Sequence, residues 1–330
     1  MIKENPMMQT PQPQQESQSV PTGWQQERLR RQPPQPQPNP GQIQQPAPYN
    51  AEAAMSIRGL AKVFGKKLAV NRIDLDIPVG SFYGLVGPNG AGKTTTLKMA
   101  TGLLRPTAGG AAIRGTDVWA HLNECKRKMG VMPSSDELFT RLTGLQTLVY
   151  AAMLRGINRA TAKGRATDLL AALDLTDSAN ALVQDYSAGM TKKIALGTAL
   201  IHSPQLLVLD EPFEAVDPVS AANIRQILKQ YASTGGTVII SSHVMALVEQ
   251  LCDHVAVISQ GNILAAGTTQ EVSGGMSLED KFLSLVGGIH SENNLTWLNQ
   301  QSAPENGQEP GLAHPAPTAT ASPAPTQRED

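Results

Sequence analysis

Apolar residues along this chain gather in short unbroken blocks. Leu206-Leu207-Val208-Leu209, Thr237-Val238-Ile239-Ile240 and Val255-Ala256-Val257-Ile258 are such blocks, and Phe82-Tyr83-Gly84-Leu85-Val86 reads the same way. Turn or polar residues bound each one, the pattern of strands buried on both faces of a parallel sheet. Stretches 221–231, 244–251 and 277–286 place apolar residues at helical spacing instead. Strands alternating with helices predict an α/β fold around a parallel sheet. No internal repeat is visible, and each motif below occurs once.

Composition divides the 330 residues into three. Residues 1–50 hold 11 of the 24 prolines and 13 glutamines, and residues 289–330 hold 6 more prolines among Ala, Thr and Ser. Such segments lack the apolar surface to offset the entropy of ordering, so residues 1–52 and 289–330 are expected to be disordered flanks around a body at 53–288. The formal net charge is −1, with the body mildly basic and the C-terminal flank acidic. No basic field argues for nucleic acid, and no nucleic-acid partner is expected. Cys125 and Cys252 lie far apart without ligand-spaced partners, which speaks against a disulfide framework or zinc site and for a reducing compartment. No apolar run reaches the roughly 18 residues of a membrane span. The N-terminus lacks a signal peptide's apolar stretch.

One loop changes the picture. After the block 82–86 comes Gly87-Pro88-Asn89-Gly90-Ala91-Gly92-Lys93-Thr94-Thr95, and then a helical stretch at 96–100. This is GxxxxGK[ST] between a strand and a helix. Its glycines let successive amides point inward, and with the helix N-terminus they cradle phosphates. Lys93 would reach the terminal phosphate oxygens, and the Thr94 hydroxyl would ligate Mg²⁺. Two carboxylates, Asp210 and Glu211, follow the block Leu206–Leu209. That strand is expected beside the phosphate loop, with Asp210 holding Mg²⁺ and Glu211 polarising the attacking water. The block 237–242 leads to His243 at the same sheet edge, where ligands of open α/β sheets bind, so His243 is expected to sense the terminal phosphate. His121, His202 and His254 show no partner spacing and read as structural.

Between these motifs lies Tyr186-Ser187-Ala188-Gly189-Met190-Thr191-Lys192-Lys193. Together they resemble the ATP-binding subunit of ABC transporters, in register over roughly 53–288. The closing stretch 277–286 and the Tyr-Ser-x-Gly-Met form are most similar to the ABC-2 type and multidrug exporter ATPases.

The resemblance implies a P-loop NTPase with a mixed or parallel core sheet, an N-terminal antiparallel β subdomain, and a helical subdomain near 142–185 presenting the signature. It implies ATP binding at 87–95 with adenine stacked on Phe64, and catalysis by Glu211 and His243 with Lys93. Ser187, Ala188 and Gly189 would meet the nucleotide of a second subunit, and Asp217 would match the D-loop. Mg²⁺ would sit on Thr94 and Asp210. Implied partners are an integral-membrane permease and a second ABC ATPase subunit, homo- or heterodimeric. The chain would then lie at the cytoplasmic face of the membrane and drive transport, with efflux favoured.

Ser134 stands where the family carries the Gln of the Q-loop. Its shorter side chain is expected to weaken Mg²⁺-linked coupling without abolishing it. The competing readings are a ribosome-associated factor, which usually carries two such domains, and an adaptor locked by ATP.

Overall fold

The computed structural model describes residues 47–286. In chain order the elements are β1 (Met55–Phe64), β2 (Lys67–Ile77), β3 (Phe82–Val86), α1 (Lys93–Ala100), β4 (Ala108–Ile113), β5 (Thr116–Asp117), α2 (Leu122–Lys128) and β6 (Met129–Val131). They continue with α3 (Gly144–Leu154), α4 (Arg159–Ala172), α5 (Ala188–Leu200), β7 (Leu206–Leu209), α6 (Pro218–Ser233), β8 (Thr237–Ser242) and α7 (Met245–Leu251). The last are β9 (His254–Ser259), β10 (Asn262–Thr268), α8 (Thr269–Ser273) and α9 (Leu278–Leu285).

The apolar blocks form the centre of a six-stranded sheet ordered β10-β9-β3-β8-β7-β6. All neighbouring pairs are parallel except β10 with β9. Successive side chains of a strand point to opposite faces, and here each face has its own core. Leu207, Leu209, Val238, Ile240, Val255 and Val257 pack with the helices. Leu206, Val208, Ile239, Ala256 and Ile258 pack towards a second sheet, β2-β1-β4-β5, which is antiparallel. With both faces covered, no position of the blocks can be polar until the strand ends.

One expectation fails here. The strand preceding Asp210 is not beside the phosphate-loop strand: β8 pairs with both β3 and β7 and separates them. Strand order is set by crossover topology, which the local sequence does not carry.

The boundary at residue 52 also moves. Residues 47–52 are held against the antiparallel sheet, although their composition continues the Gln/Pro-rich flank. Arg58 donates to the Pro48 carbonyl at 3.2 Å, and the Asn50 amide donates to Ser56 Oγ at 3.0 Å. Burial, with a hydrogen bond to Asp117, pushes the Tyr49 phenol up to about 12. The rest of the two flanks lies outside the described residues.

A helical unit, α3 with α4, is joined to the core sheet by α5. Thr143 and Gln146 start α3 by exchanging hydrogen bonds with each other's amides, at 3.2 and 3.0 Å. Just past α3, the Arg155 guanidinium donates to the carbonyls of Lys126 and Met129. Just past α5, His202 Nε2 donates to the same Met129 carbonyl at 3.0 Å, which fixes its proton on Nε2. The helical unit is thus pinned to the start of β6.

Two predictions follow from these contacts. Gly84, central in β3, faces α7; a Cβ there would meet the Val248 and Cys252 side chains. Gly84→Ala should cost about 1–3 kcal/mol of stability by overpacking, read as a lowered thermal midpoint. Burial, reinforced by the nearby Arg155 charge, lowers His202 to about 4. The folded state keeps the ring neutral while the unfolded chain protonates it near 6.5. The unfolded state therefore gains the proton first, and stability should fall as pH drops from about 6.5 towards 4. Denaturant midpoints across that range should slope less steeply in His202→Gln.

Candidate active site

The phosphate loop is built before any ligand arrives. Gly92, the residue before α1, has φ 108°, a conformation open to glycine. A Cβ at Gly87 would run into the Ile258 carbonyl, so only glycine lets the loop leave β3 this close to β9. No side chain caps α1, so its first amides point into the loop unmatched by the helix itself. The Ala91 carbonyl accepts from the Gly261 amide at 2.8 Å, tying the loop to the β9–β10 turn. Lys93 is 5% exposed. Its ammonium donates to the Gly87 and Pro88 carbonyls at 2.8 and 3.3 Å. Pro88, Asn89 and Gly90 form the exposed crest of the loop, and Thr94 and Thr95 follow on the first turn of α1.

Asp210 and Glu211 lie just past β7, and β8 lies between them and the loop. Asp210 spans that gap with its side chain. Its Oδ1 accepts from Thr94 Oγ1 at 3.1 Å and from Ser241 Oγ at 2.5 Å. The Glu211 amide donates to Ser241 Oγ at 2.9 Å. Ser241, at the end of β8, therefore organises both carboxylates across the intervening strand. The local sequence does not mark Ser241 for this role, because its partners are set only by sheet order.

The Glu211 carboxylate joins the remaining groups. Its Oε1 lies 3.3 Å from Lys93 Nζ and its Oε2 lies 3.1 Å from His243 Nδ1. The Lys93 contact is ionic without hydrogen-bond geometry, so the buried Oε1 has no hydrogen-bond donor among the described residues. Lys93, Thr94, Asp210, Glu211 and His243 thus meet at one sheet edge. Thr94 and Asp210 offer hard oxygen donors 3.1 Å apart, the donor chemistry that Mg²⁺ takes.

The remaining sequence candidates sit around this centre. Phe64, 48% exposed, ends β1, and the Lys62 ammonium lies 5.1 Å from its ring centroid. Ser187 precedes α5, and its Oγ accepts from the Met190 amide at 3.3 Å. Ala188 and Gly189 open that helix, and a Cβ on Gly189 would crowd Asp217 and Ser220. Asp217 precedes Pro218 at the start of α6 and accepts from the Val219 and Ser220 amides at 3.1 and 2.9 Å. Those backbone donors, with the Ser220 hydroxyl, hold its carboxyl below the ordinary range. The stretch 187–189 and Asp217 are therefore close neighbours within one chain.

Ser134 lines the cavity that also holds Thr94, Asp210 and Glu211, yet its side chain serves its own turn. Its amide donates to Glu137 Oε2 at 3.0 Å, and its hydroxyl pairs with Asp136, lowering that carboxyl.

A family model described as ABC transporter matches residues 70–214. The linearmycin resistance ATP-binding protein LnrL of Bacillus subtilis (strain 168) is 35% identical over 236 residues, which is 72% of this chain and 76% of that protein. The bacitracin transport ATP-binding protein BcrA of Enterococcus faecalis is 35% identical over 214 residues, covering 64% of this chain and 68% of its own. A solved structure described as the ATP binding subunit of an ABC transporter superposes with a TM-score of 0.66 at 26% identity, over 71% of this chain and 100% of the other. With two sheets, a phosphate loop and a helical unit in one arrangement, and with relatives this similar over most of the described residues, the chain belongs to the ABC transporter family, among its ATP-binding, ATP-hydrolysing subunits.

Proposed function

We propose that this chain hydrolyses ATP with Glu211 as general base and passes the resulting motion to a membrane permease that exports its cargo. The observation that carries the reading is the Glu211 carboxylate, held between Lys93 and His243 at the mouth of the phosphate loop. In this reading ATP lies with its phosphates on residues 87–95 and its adenine on the exposed face of Phe64. An aromatic ring stacks on a base with little hydrogen-bond selectivity. Lys93 exchanges the loop carbonyls for phosphate oxygens. Thr94 and Asp210 hold Mg²⁺, which when bound neutralises phosphate charge. Glu211 takes a proton from water as the water oxygen attacks the terminal phosphorus. The bond to the bridging oxygen breaks, giving ADP and phosphate, while His243 orients the carboxylate from its far side.

The site is completed by a second ATPase subunit. Ser187 and Ala188 face outward and, with the backbone of the buried Gly189 behind them, meet the terminal phosphate on the partner's loop. Asp217 carries contact across the same face, where the neighbouring Val219 is 75% exposed. Closure of the pair excludes water and raises the worth of every charge inside.

The permease surface lies on the helical side. Phe139 and Tyr150 stack edge to face at 5.2 Å and are both exposed, as are Met153 and Leu154. Beside them a cleft of about 630 Å³ runs between Leu103, Arg127, Met132, Pro133, Leu154 and Arg155. Apolar exposure rimmed by polar groups marks an interaction surface. The ATPase unit, residues 53–288 with residues 47–52 held against it, docks at the cytoplasmic face of the membrane through this patch, with the rest of the Gln/Pro-rich and Pro/Ala/Thr-rich flanks outside it. The names of the relatives, linearmycin resistance and bacitracin transport, support export of an antibiotic-like compound.

Glu211→Gln should bind ATP, lose turnover by about a hundredfold or more, and accumulate as an ATP-bound dimer in size-exclusion chromatography. Lys93→Ala should instead lose affinity for a fluorescent ATP analogue. Turnover retained in Glu211→Gln would place the base elsewhere. Purified from native membranes with ATP, the same variant should bring down a polytopic membrane protein; ribosomes in its place would move the reading to a ribosome-associated factor. Ser134→Gln should raise ATPase activity and tighten its Mg²⁺ dependence, read from metal titrations; unchanged activity and metal dependence would remove any coupling role from this position.

A further inference from the structure

The cavity behind the phosphate loop contains a cation that the scheme above leaves unused. It measures about 380 Å³ and is lined by Thr94, Ser134, Asp210, Glu211, Glu214 and Lys192, among others. Lys192 lies on α5, the helix that Ser187 precedes. Its ammonium donates to the backbone carbonyl of Glu211 at 3.0 Å.

That carbonyl belongs to a residue with φ 46°, left-handed although it is not glycine. Such a conformation is strained for a residue with a Cβ and persists only where the surroundings fix it. Three hydrogen bonds do so. The Glu211 amide donates to Ser241 Oγ at 2.9 Å, and its carbonyl accepts from the Glu214 amide at 3.3 Å and from Lys192. The first comes from the adjacent strand and the second from the turn itself. Lys192 alone comes from the helix carrying the signature. Backbone torsions at Glu211 set the direction in which its side chain leaves, and that side chain touches both Lys93 and His243.

We infer that Lys192 is a positioning residue, which links the seating of α5 to the orientation of the Glu211 carboxylate. The inference rests on the reading of Glu211 as base and Ser187 as the contact to the partner's nucleotide. When the N-terminus of α5 docks on that nucleotide, Lys192 holds the Glu211 turn in its hydrolytic conformation. When α5 withdraws, the carbonyl loses its one restraint from the signature helix. Hydrolysis is then gated by occupancy of the opposite site.

The test uses the full-length chain with ATP and Mg²⁺, measuring kcat and KM together. Lys192→Met keeps the stem and removes the donor; kcat should fall about tenfold or more while KM stays within about twofold. Lys192→Arg, which can donate to the same carbonyl, should stay within about threefold of wild type in kcat. In the Glu211→Gln background, Lys192→Met should form the ATP-bound dimer in unchanged yield, which places the defect after binding. A merely structural lysine would move KM, dimer yield or melting temperature along with kcat. If Lys192→Met does not fold, Lys192→Gln, shorter and uncharged, should show the same loss of kcat against Lys192→Arg.

Unchanged kcat in Lys192→Met, a joint shift of kcat and KM, or an Arg variant as slow as the Met variant would overturn the inference. If Glu211→Gln is silent while Lys192→Met turns over normally, only the coupling role falls. If Glu211→Gln itself turns over normally, the base assignment falls and takes the inference with it.

Discussion

A sheet covered on both faces can present polar groups only at the ends of its strands. That constraint places nearly everything of chemical interest in this chain. The apolar blocks at β3, β7 and β8 run inside two cores, and the first polar side chains they release are those at the carboxyl edge. Asp210, Glu211, Ser241 and His243 are all such residues. Their convergence needs no special folding instruction beyond parallel strands of matched length. The cost is that charges meet in a partly buried place, and each is accounted for. Lys93 lies on carbonyls and a carboxylate, Asp210 on two hydroxyls, and Glu211 between a lysine and a histidine.

Much of this was legible in the sequence, and the reasons are local. Leu206–Leu209 and Phe82–Val86 are strands over the residues that their apolar runs mark, because burial on both faces leaves no other pattern. The helical spacing at 221–231 falls inside α6, which begins earlier, at Pro218, with the Asp217 carboxylate accepting from its first amides. What could not be read depends on distant pairing. The insertion of β8 between β3 and β7 follows from crossovers. With it go the role of Ser241, the reach of Asp210 across a strand and the grip of Lys192 on Glu211. Residues 47–52 fail for a related reason. Their composition continues that of a flank, but Tyr49 finds Asp117 and Asn50 finds Ser56, contacts made only once β1, β4 and β5 are side by side.

The helix α5 is fastened differently at its two ends. Past its C-terminus, His202 shares the Met129 carbonyl with Arg155, so that end is tied to β6 and to the helical unit at once. Its other end begins at exposed Ser187, and a side chain at Gly189 there would run into Asp217 and Ser220. A rod hydrogen-bonded to the strand beneath it at one end and only packed against α6 at the other behaves as a lever. Lys192 is attached to it between the two.

The strand that separates Asp210 from the phosphate loop has one more consequence. Neighbouring strands lie about 4.8 Å apart, so β3 and β7 are about 10 Å apart with β8 between them. Were they adjacent, the carboxylate would press on the loop and close the groove between them. As it is, β8 ends in two serines, and the short Ser241 side chain lets Asp210 reach Thr94 across the strand. The strand works as a shim: its thickness fixes the gauge of the slot, and the slimness of its last residues decides what can pass into it.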